Sequence, residues 1–232
     1  MVSDFHTHIL PGIDDGSASV EESIAMLKAM AQQGITRVVA TPHFYPRHDS
    51  PQRFLARREE AERALRKEMQ RHEGLPEVIV GAEVHYYRGI SESDVLSGLT
   101  IGDKCGILIE MPMAQWSEAM YRDLAAIPEK QGLVPIIAHV DRYFPTLGDG
   151  GIPAKLAELP VYVQANASAF LRFSTRGRML RLLREEKVHF LGSDCHNLTD
   201  RAPNLVDAVR VVEKHHGASA LQRICSYEDR VL

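Results

Sequence analysis

Short apolar runs rich in β-branched residues recur along this chain, most of them followed by a helical pattern or a long loop. That alternation leaves few architectures open. The runs cover residues 2–8, 35–41, 77–85, 106–111, 134–140, 161–166 and 188–194. Between them lie helical stretches: a stripe of Ile24, Leu27 and Ala31 behind a Ser19/Glu22 capping spacing, then 51–72, 115–131, 175–186 and 202–216. Regular β-α alternation predicts an α/β fold with a parallel sheet and helices outside it. About seven units in 232 residues suit a closed or nearly closed barrel, with a doubly wound sheet as the alternative. No repeat, low-complexity segment or linker interrupts the pattern, so residues 1–232 are expected to form a single domain.

Composition narrows the function classes. Hydrophobic residues make up 44% and charged residues 25%, which is ordinary for a globular chain, and the formal net charge is -4. The most basic stretch, 53–71, is interleaved with glutamates and reads as a solvated helix face, so no nucleic-acid footprint is expected. No apolar run approaches the ~20 residues of a membrane helix, so no membrane insertion is expected. The N-terminal residues lack the charged and apolar regions of a signal peptide. Cys105, Cys195 and Cys225 are odd in number and form no C-x-x-C pair, which fits a reduced, cytoplasmic setting.

Histidine is the unusual residue, at eleven, and its positions carry the functional reading. His6 and His8 end the first apolar run, and His43 ends the second. Glu83 lies near the end of the third, Glu110 ends the fourth and His139 the fifth. Asp194 and His196 end the last. In a parallel barrel these ends open onto one face, where active sites are built. Any one of these side chains could be an ordinary hydrogen-bonded loop residue. Six runs delivering such groups together would crowd carboxylates that need a compensating cation. Residues i and i+2 of a strand point the same way, so His6-x-His8 and Asp194-x-His196 can each aim two ligands into one site. A mixed nitrogen and oxygen donor set without thiolate suits Mn, Fe or Zn rather than Ca. The number of candidate ligands exceeds the four of a structural zinc, so two or three ions are expected, with Glu83 able to bridge a pair.

Taken in order, His6-x-His8, Asp14-Asp15-Gly16, Thr41-Pro42-His43, Gly81-Ala82-Glu83, Glu110, His139-x-x-Arg142-Tyr143 and Ser193-Asp194-x-His196-Asn197 resemble the polymerase and histidinol phosphatase (PHP) superfamily. Within it they are most similar to the bacterial protein-tyrosine phosphatases of capsule and exopolysaccharide operons. The resemblance implies a distorted (β/α)7 barrel, PHP/TIM-like, holding three metals, usually manganese. By position it implies one metal on His6, His8, Glu83 and Asp194, and a second on Glu83, Glu110 and His139. A third would sit on Asp15, His43 and His196. Asp15 rather than Asp14 matches the aspartate before the loop glycine. Arg142 and Arg201 match arginines placed beside the phosphate. The implied substrate is a phosphotyrosyl protein, the tyrosine-rich tail of a bacterial tyrosine autokinase. Two departures from the family pattern, Val140-Asp141 after His139 and the absence of asparagine-proline near the C-terminus, touch no expected ligand.

Metal coordination lowers the pKa of water from about 15.7 toward about 7, which would supply a nucleophile for phosphorus at neutral pH. Tyrosinate, with a pKa near ~10, leaves with less help than an alkoxide. His48, Asp141 and Tyr45 are loop candidates for a general acid, and Phe44, Tyr45, Tyr143 and Phe144 could wall a ring-shaped pocket. Cys195-x5-Arg201 also fits the spacing of cysteine-dependent tyrosine phosphatases. Its loop, however, has no glycine, contains Asp200, and places Cys195 between two same-facing ligands. His85 shares a strand face with Glu83 but is left outside the expected ligand set. A small-molecule phosphomonoesterase of the same superfamily, histidinol-phosphatase-like, and a non-enzymatic metal-bound module are the alternative functions.

Overall fold

The computed structural model describes residues 2–144 and 152–232. Its strands are β1 (Asp4–Thr7), β2 (Arg37–Ala40), β3 (His43–Phe44), β4 (Glu77–Val80), β5 (Glu83–His85), β6 (Gly106–Glu110), β7 (Val134–Ile137), β8 (Tyr162–Asn166) and β9 (Phe190–Gly192). The helices are α1 (Val20–Gln32), α2 (Pro51–Met69), α3 (Glu118–Gln131), α4 (Ile152–Ala157), α5 (Ala167–Leu171), α6 (Phe173–Arg184), α7 (Leu205–His216) and α8 (Ala218–Val231). Every strand pair is parallel, in a three-stranded sheet of order β1-β2-β4 and a six-stranded sheet of order β3-β5-β6-β7-β8-β9. The result is an α/β fold with a curled parallel sheet.

The second apolar run forms β2 and ends before Pro42, which has no N–H to give a ladder; just beyond it a further short strand, β3, joins the other sheet. The third run is a pair of strands, broken at Gly81-Ala82. There Gly81 packs so close to Ile101 that an added Cβ would lie 3.0 Å from its Cγ1 and 3.2 Å from its Cα. Backbone bonds carry the pairing across both breaks: Gly81 N–H donates to Ala40 O at 2.8 Å and Glu83 N–H to Pro42 O at 3.0 Å. At the other end of the curl, β1 and the segment after β9 meet. Asp194 N–H donates to His6 O at 2.8 Å and His8 N–H to Cys195 O at 2.9 Å.

Strand alternation separates two packing zones. Ile107, Ile109, Ile137, Val163 and Leu191 join the large core under the helices. Phe5, Val39, Leu108, Ile136 and Phe190 form a smaller cluster with Val231, and the Phe5 and Phe190 rings stack at 4.1 Å. On β6, Leu108 in this cluster and Glu110 at the strand end share a face; on β8, Gln164 and Asn166 do the same. The sheet thus carries apolar residues low on one face and polar ones at its carboxyl end.

Helix starts follow local chemistry. Ser19 caps α1, its Oγ accepting from Glu22 N–H at 3.3 Å, while Glu22 Oε2 accepts from Ala18 N–H at 2.8 Å rather than from the cap residue itself. Ser50 caps α2 with Pro51 following. The start of α7 lies at Leu205, later than residue 202, because Pro203 and its neighbours continue the loop. No helix among the described residues is long and apolar enough to cross a membrane.

Helix α8 was not legible in the pattern. Its buried stripe is Ala220, Ile224, Glu228 and Val231, and a glutamate in the stripe hides the apolar period. Glu228 is fully buried. Its carboxyl accepts from Ser3 N–H at 2.9 Å and Ser3 Oγ at 2.9 Å, and pairs with Arg37 at 3.3 Å, tying the C-terminal helix to the first strand. Burial pushes its pKa from 4.5 up to about 7 against the pull of Ser3 and Arg37. Between those values the unfolded chain binds fewer protons than the folded one, so this group's contribution to stability falls as pH rises through the window. The unfolding free energy of the wild type minus that of Glu228→Gln should therefore decrease between about pH 5 and about pH 8 in denaturant titrations. A difference that stays flat would mean the carboxyl is ionised throughout.

Candidate metal centre

The expected ligands gather at the carboxyl ends of the strands. His6 lies on β1 and His8 one residue beyond it. His43 opens β3, Glu83 opens β5 and Glu110 closes β6. The ladder sets Glu83 beside His43. His139 follows β7, Asp194 and His196 follow β9, and Asp15 sits in the loop after β1. His6, His8, Glu83, His139, Asp194 and His196 are buried, His43 and Glu110 are partly so, and the Asp15 side chain is 66% exposed.

Distances place these groups around a common centre. His6 Nε2 lies 3.2 Å from His8 Nε2, 3.2 Å from Glu83 Oε2 and 3.7 Å from Asp194 Oδ1. His8 Nε2 lies 3.4 Å from Glu83 Oε2 and 3.5 Å from Asp194 Oδ1. Glu83 Oε2 also faces His43 Nδ1 at 2.9 Å, and Glu83 Oε1 faces His139 Nε2 at 2.8 Å. Asp15 Oδ1 is 3.5 Å from His43 Nε2 and 3.4 Å from His196 Nε2. Three sets have donor atoms within 4.8 Å of one another: His6-His8-Asp194, His43-Glu83-Glu110 and His8-Asp15-His43-His196. The set implied by the resemblance on Glu83, Glu110 and His139 keeps its members close, with His139 Nε2 2.8 Å from Glu83 Oε1 and 3.6 Å from Glu110 Oε1; His43 also approaches Glu83 and Glu110, and His8 also approaches the Asp15 set.

The means of convergence differs from strand pleating at two positions. Asp194 has φ +55° and His139 φ +30°, a left-handed conformation that costs roughly 1–3 kcal/mol in a non-glycine residue. Asp194 and His196 lie 3.7 Å apart on the cluster side, with Cys195 between them in the core and bridged to Thr7. The backbone also closes tightly here. A Cβ on Gly192 would lie 2.6 Å from His6 Cβ, and one on Gly16 would lie 2.2 Å from His8 O.

The electrostatics call for a cation. Burial opposes protonation of His8, yet hydrogen bonds and charge from Asp14 and Glu83 outweigh it and push its pKa up to about 10. Burial likewise opposes protonation of His6, and Glu83 and Asp194 raise it all the same. In turn, although burial disfavours their ionisation, Glu83 and Asp194 are held below the usual carboxylate range by the imidazoles, with Arg142 adding its charge at Asp194. His196 is pushed down to about 4 by burial and by His8, so it keeps a free lone pair. Glu83 Oε2, His43 Nδ1 and His196 Nε2 are buried without a hydrogen-bond partner. Orphaned donor atoms of this kind, of nitrogen and carboxylate type and aimed at one another, fit divalent metal ions.

Several supporting residues escaped the sequence reading. Asp14 is the buried member of its pair: it bonds His8 Nδ1 at 2.7 Å and accepts from His43 N–H and Gly16 N–H, each at 3.0 Å. Gln164 Oε1 lies 3.3 Å from His6 Nδ1 and accepts from His139 N–H at 2.6 Å. Asn166 donates to Asp194 Oδ2 at 2.9 Å. Gln164-x-Asn166 at a strand end repeats the i,i+2 signal that singled out the histidines. His85 Nδ1 lies 3.1 Å from Glu110 Oε2, behind the cluster.

Arg142 and Arg201 both reach Asp194, Arg201 Nη2 at 2.8 Å from Oδ1, and each side chain is 34% exposed. Their remaining N–H groups border an open cleft with Asn166, Ser193 and Asn204. Cys195 is fully buried in the core, and burial holds its thiol well above the ordinary range, so it cannot supply a thiolate. Of the four aromatics expected to wall a pocket, Phe44, Tyr143 and Phe144 are core residues, and Tyr45 alone is open to solvent. Asp141 accepts from Asn166 N–H at 2.8 Å.

Because Asp14 fixes the tautomer and orientation of His8, Asp14→Ala should weaken metal binding by roughly 10–100-fold while leaving the fold intact. Metal titration followed by thermal shift reads this. Unchanged affinity would remove Asp14 from the site.

Known proteins resemble this chain along nearly its whole length. The chain is 30% identical over 227 residues to tyrosine-protein phosphatase YwqE of Bacillus subtilis, covering 93% of this chain and 85% of that one. It is 27% identical to tyrosine-protein phosphatase CpsB of Streptococcus agalactiae, covering 92% and 90%. A solved structure from work on YwqE of Bacillus subtilis and CpsB of Streptococcus pneumoniae, described as unique metal-dependent tyrosine phosphatases, superposes with a TM-score of 0.87 at 27% identity. It covers 100% of this chain and 94% of that one. The family model for capsular polysaccharide synthesis, CpsB/CapC, matches residues 2–231, so this chain belongs to the CpsB/CapC family.

Proposed function

We propose that this chain is a metal-dependent hydrolase that removes phosphate from phosphotyrosine on protein, acting on the tyrosine-rich tail of a bacterial autokinase in capsule or exopolysaccharide synthesis. The observation that carries the reading is the junction of two features. Eight metal-type side chains group closely, with His139 2.8 Å from Glu83, and two guanidinium groups border the same carboxylate. The relatives named above supply the substrate class. We further propose that residues 1–232 form one domain, that the curled sheet is a distorted (β/α)7 barrel, and that the protein works in the cytoplasm. Parallel pairing throughout, the meeting of β1 with the β9 end and three free cysteines support these points.

His6, His8, Asp15, His43, Glu83, Glu110, His139, Asp194 and His196 would hold the ions, two or three in number, with manganese favoured and iron or zinc compatible with the donors. Bound metal would supply a water of lowered pKa and positive charge for the phosphoryl oxygens. The protein's own groups do the remaining work. Arg142 and Arg201, always charged and fork-shaped, bind oxygens of the phosphoryl group and orient phosphorus toward the cluster. Asp194 holds both guanidinium groups in place. Asp14 and Gln164 fix the imidazoles of His8 and His6. Tyr45, beside His43 at 5.1 Å between ring centres, offers a flat face to the departing phenol.

Turnover of a phosphotyrosyl peptide should vanish with chelator and return with manganese, and Cys195→Ser should keep it. Arg142→Ala and Arg201→Ala should each lower kcat/KM by about 10²-fold, the scale of removing one stabiliser of transition-state charge, with metal content unchanged by elemental analysis. Loss of activity in Cys195→Ser at full metal content would overturn the metal mechanism. Preference for histidinol phosphate over the peptide would point to a small-molecule esterase.

A further inference from the structure

A second recognition element lies beside the proposed centre. A cavity of about 520 Å³ opens next to the cluster, bordered by Tyr45, His48, His85, Tyr87, Arg47 and Arg88. It is continuous with the ligands. The Tyr45 ring lies 5.1 Å from His43 and 5.5 Å from His85, and His85 bonds Glu110. Its remaining walls are apolar or aromatic, including Pro112 and Met120.

Two exposed cations stand on its rim. Nearby arginines on α2 are neutralised locally: Arg53 and Arg57 pair with Asp49, Arg63 with Glu59, and Arg66 with Glu62. Arg58 donates to the carbonyls of Gly81 and Gly98 at 3.0 Å. Arg47 and Arg88 are exposed, border one cavity, and form no ion pair with a carboxylate among the described residues. On a chain of net charge -4, two uncompensated cations flanking an aromatic cleft at the mouth of the site select for an anion outside the phosphate.

We propose that Arg47 and Arg88 form a specificity subsite for acidic side chains flanking the phosphotyrosine, the peptide crossing the Tyr45–His85 cleft with its carboxylates against the two guanidinium groups. The occupant is thus an acidic phosphotyrosyl peptide. The proposal rests on the phosphatase reading above and adds the sequence context that reading lacks. Its chemistry is that of arginine clusters that read acidic motifs, and exposed pairs of this kind act chiefly on encounter and are weakened by salt.

The test uses the full chain loaded with manganese, three phosphotyrosyl peptides flanked by two Glu, two Gln or two Lys, and p-nitrophenyl phosphate, which has no flanks. Wild-type kcat/KM should favour the Glu peptide over the Gln peptide by roughly 5–20-fold, and the preference should shrink with added salt. The Arg47→Ala/Arg88→Ala double variant should lose that preference while turning over p-nitrophenyl phosphate at the wild-type rate. Charge reversal, Arg47→Glu/Arg88→Glu, should favour the Lys peptide. Equal kcat/KM for the Glu and Gln peptides in the wild type overturns the subsite, as does a preference that survives in the double variant. Absence of turnover on every substrate, p-nitrophenyl phosphate included, overturns the phosphatase reading and the subsite with it, a pattern distinct from loss of the Glu preference alone.

Discussion

Buried carboxylates facing buried imidazoles without enough charge to balance them are the constraint from which the rest follows. Glu83 sits at the middle, with four histidines within 3.4 Å of its two oxygens. Packing it there is favourable only if the imidazoles carry protons or if divalent cations replace those protons. β1, β3, β5, β6 and the segments after β7 and β9 each bring at least one such group to the carboxyl ends of the strands, so the sheet's curvature and the site's charge balance are coupled.

The backbone bears some of the cost. His139 and Asp194 adopt left-handed turns immediately after β7 and β9, and Gly16 and Gly192 leave room for His8 and His6 that a methyl group would fill. Hydrogen bonds from Gln164, Asn166 and Asp14 then lock the side chains. Rigid placement of this sort suits chemistry in which reacting atoms must be aligned before reaction rather than gathered during it. The two arginines share Asp194 with the cluster, so the guanidinium groups and the buried imidazoles are mechanically joined.

Much of the site was legible because its residue types are costly elsewhere. A histidine or carboxylate at the end of a β-branched run stands out, and the side chains at those positions lie close to one another. Asp14 was passed over because adjacent aspartates look alike in sequence. Burial then made one a hydrogen-bond anchor and left the other facing out. Gln164 gives no sign of its partners, since a polar residue on a strand does not show which neighbour it meets, and His85, which shares a strand face with Glu83, meets Glu110. Helix α8 was unread because Glu228 interrupts its apolar stripe, and only its bonds to Ser3 and Arg37, more than 190 positions away in the chain, explain a carboxyl in that place.

Local patterns determined the β-α order, the parallel sheet, the cluster of candidate ligands and the unsuitability of Cys195, because side-chain period and donor chemistry are properties of short segments. Tertiary structure decided the splitting of the third run at Gly81, the entry of β3 into a second sheet after Pro42, the meeting of β1 with the β9 end, and the approach of His43 and His8 to more than one group of ligands. It also decided which charges lie unpaired at the mouth. Those outcomes depend on distances between residues far apart in the chain, which are fixed only when the sheet curls and its strand ends are brought to a common point.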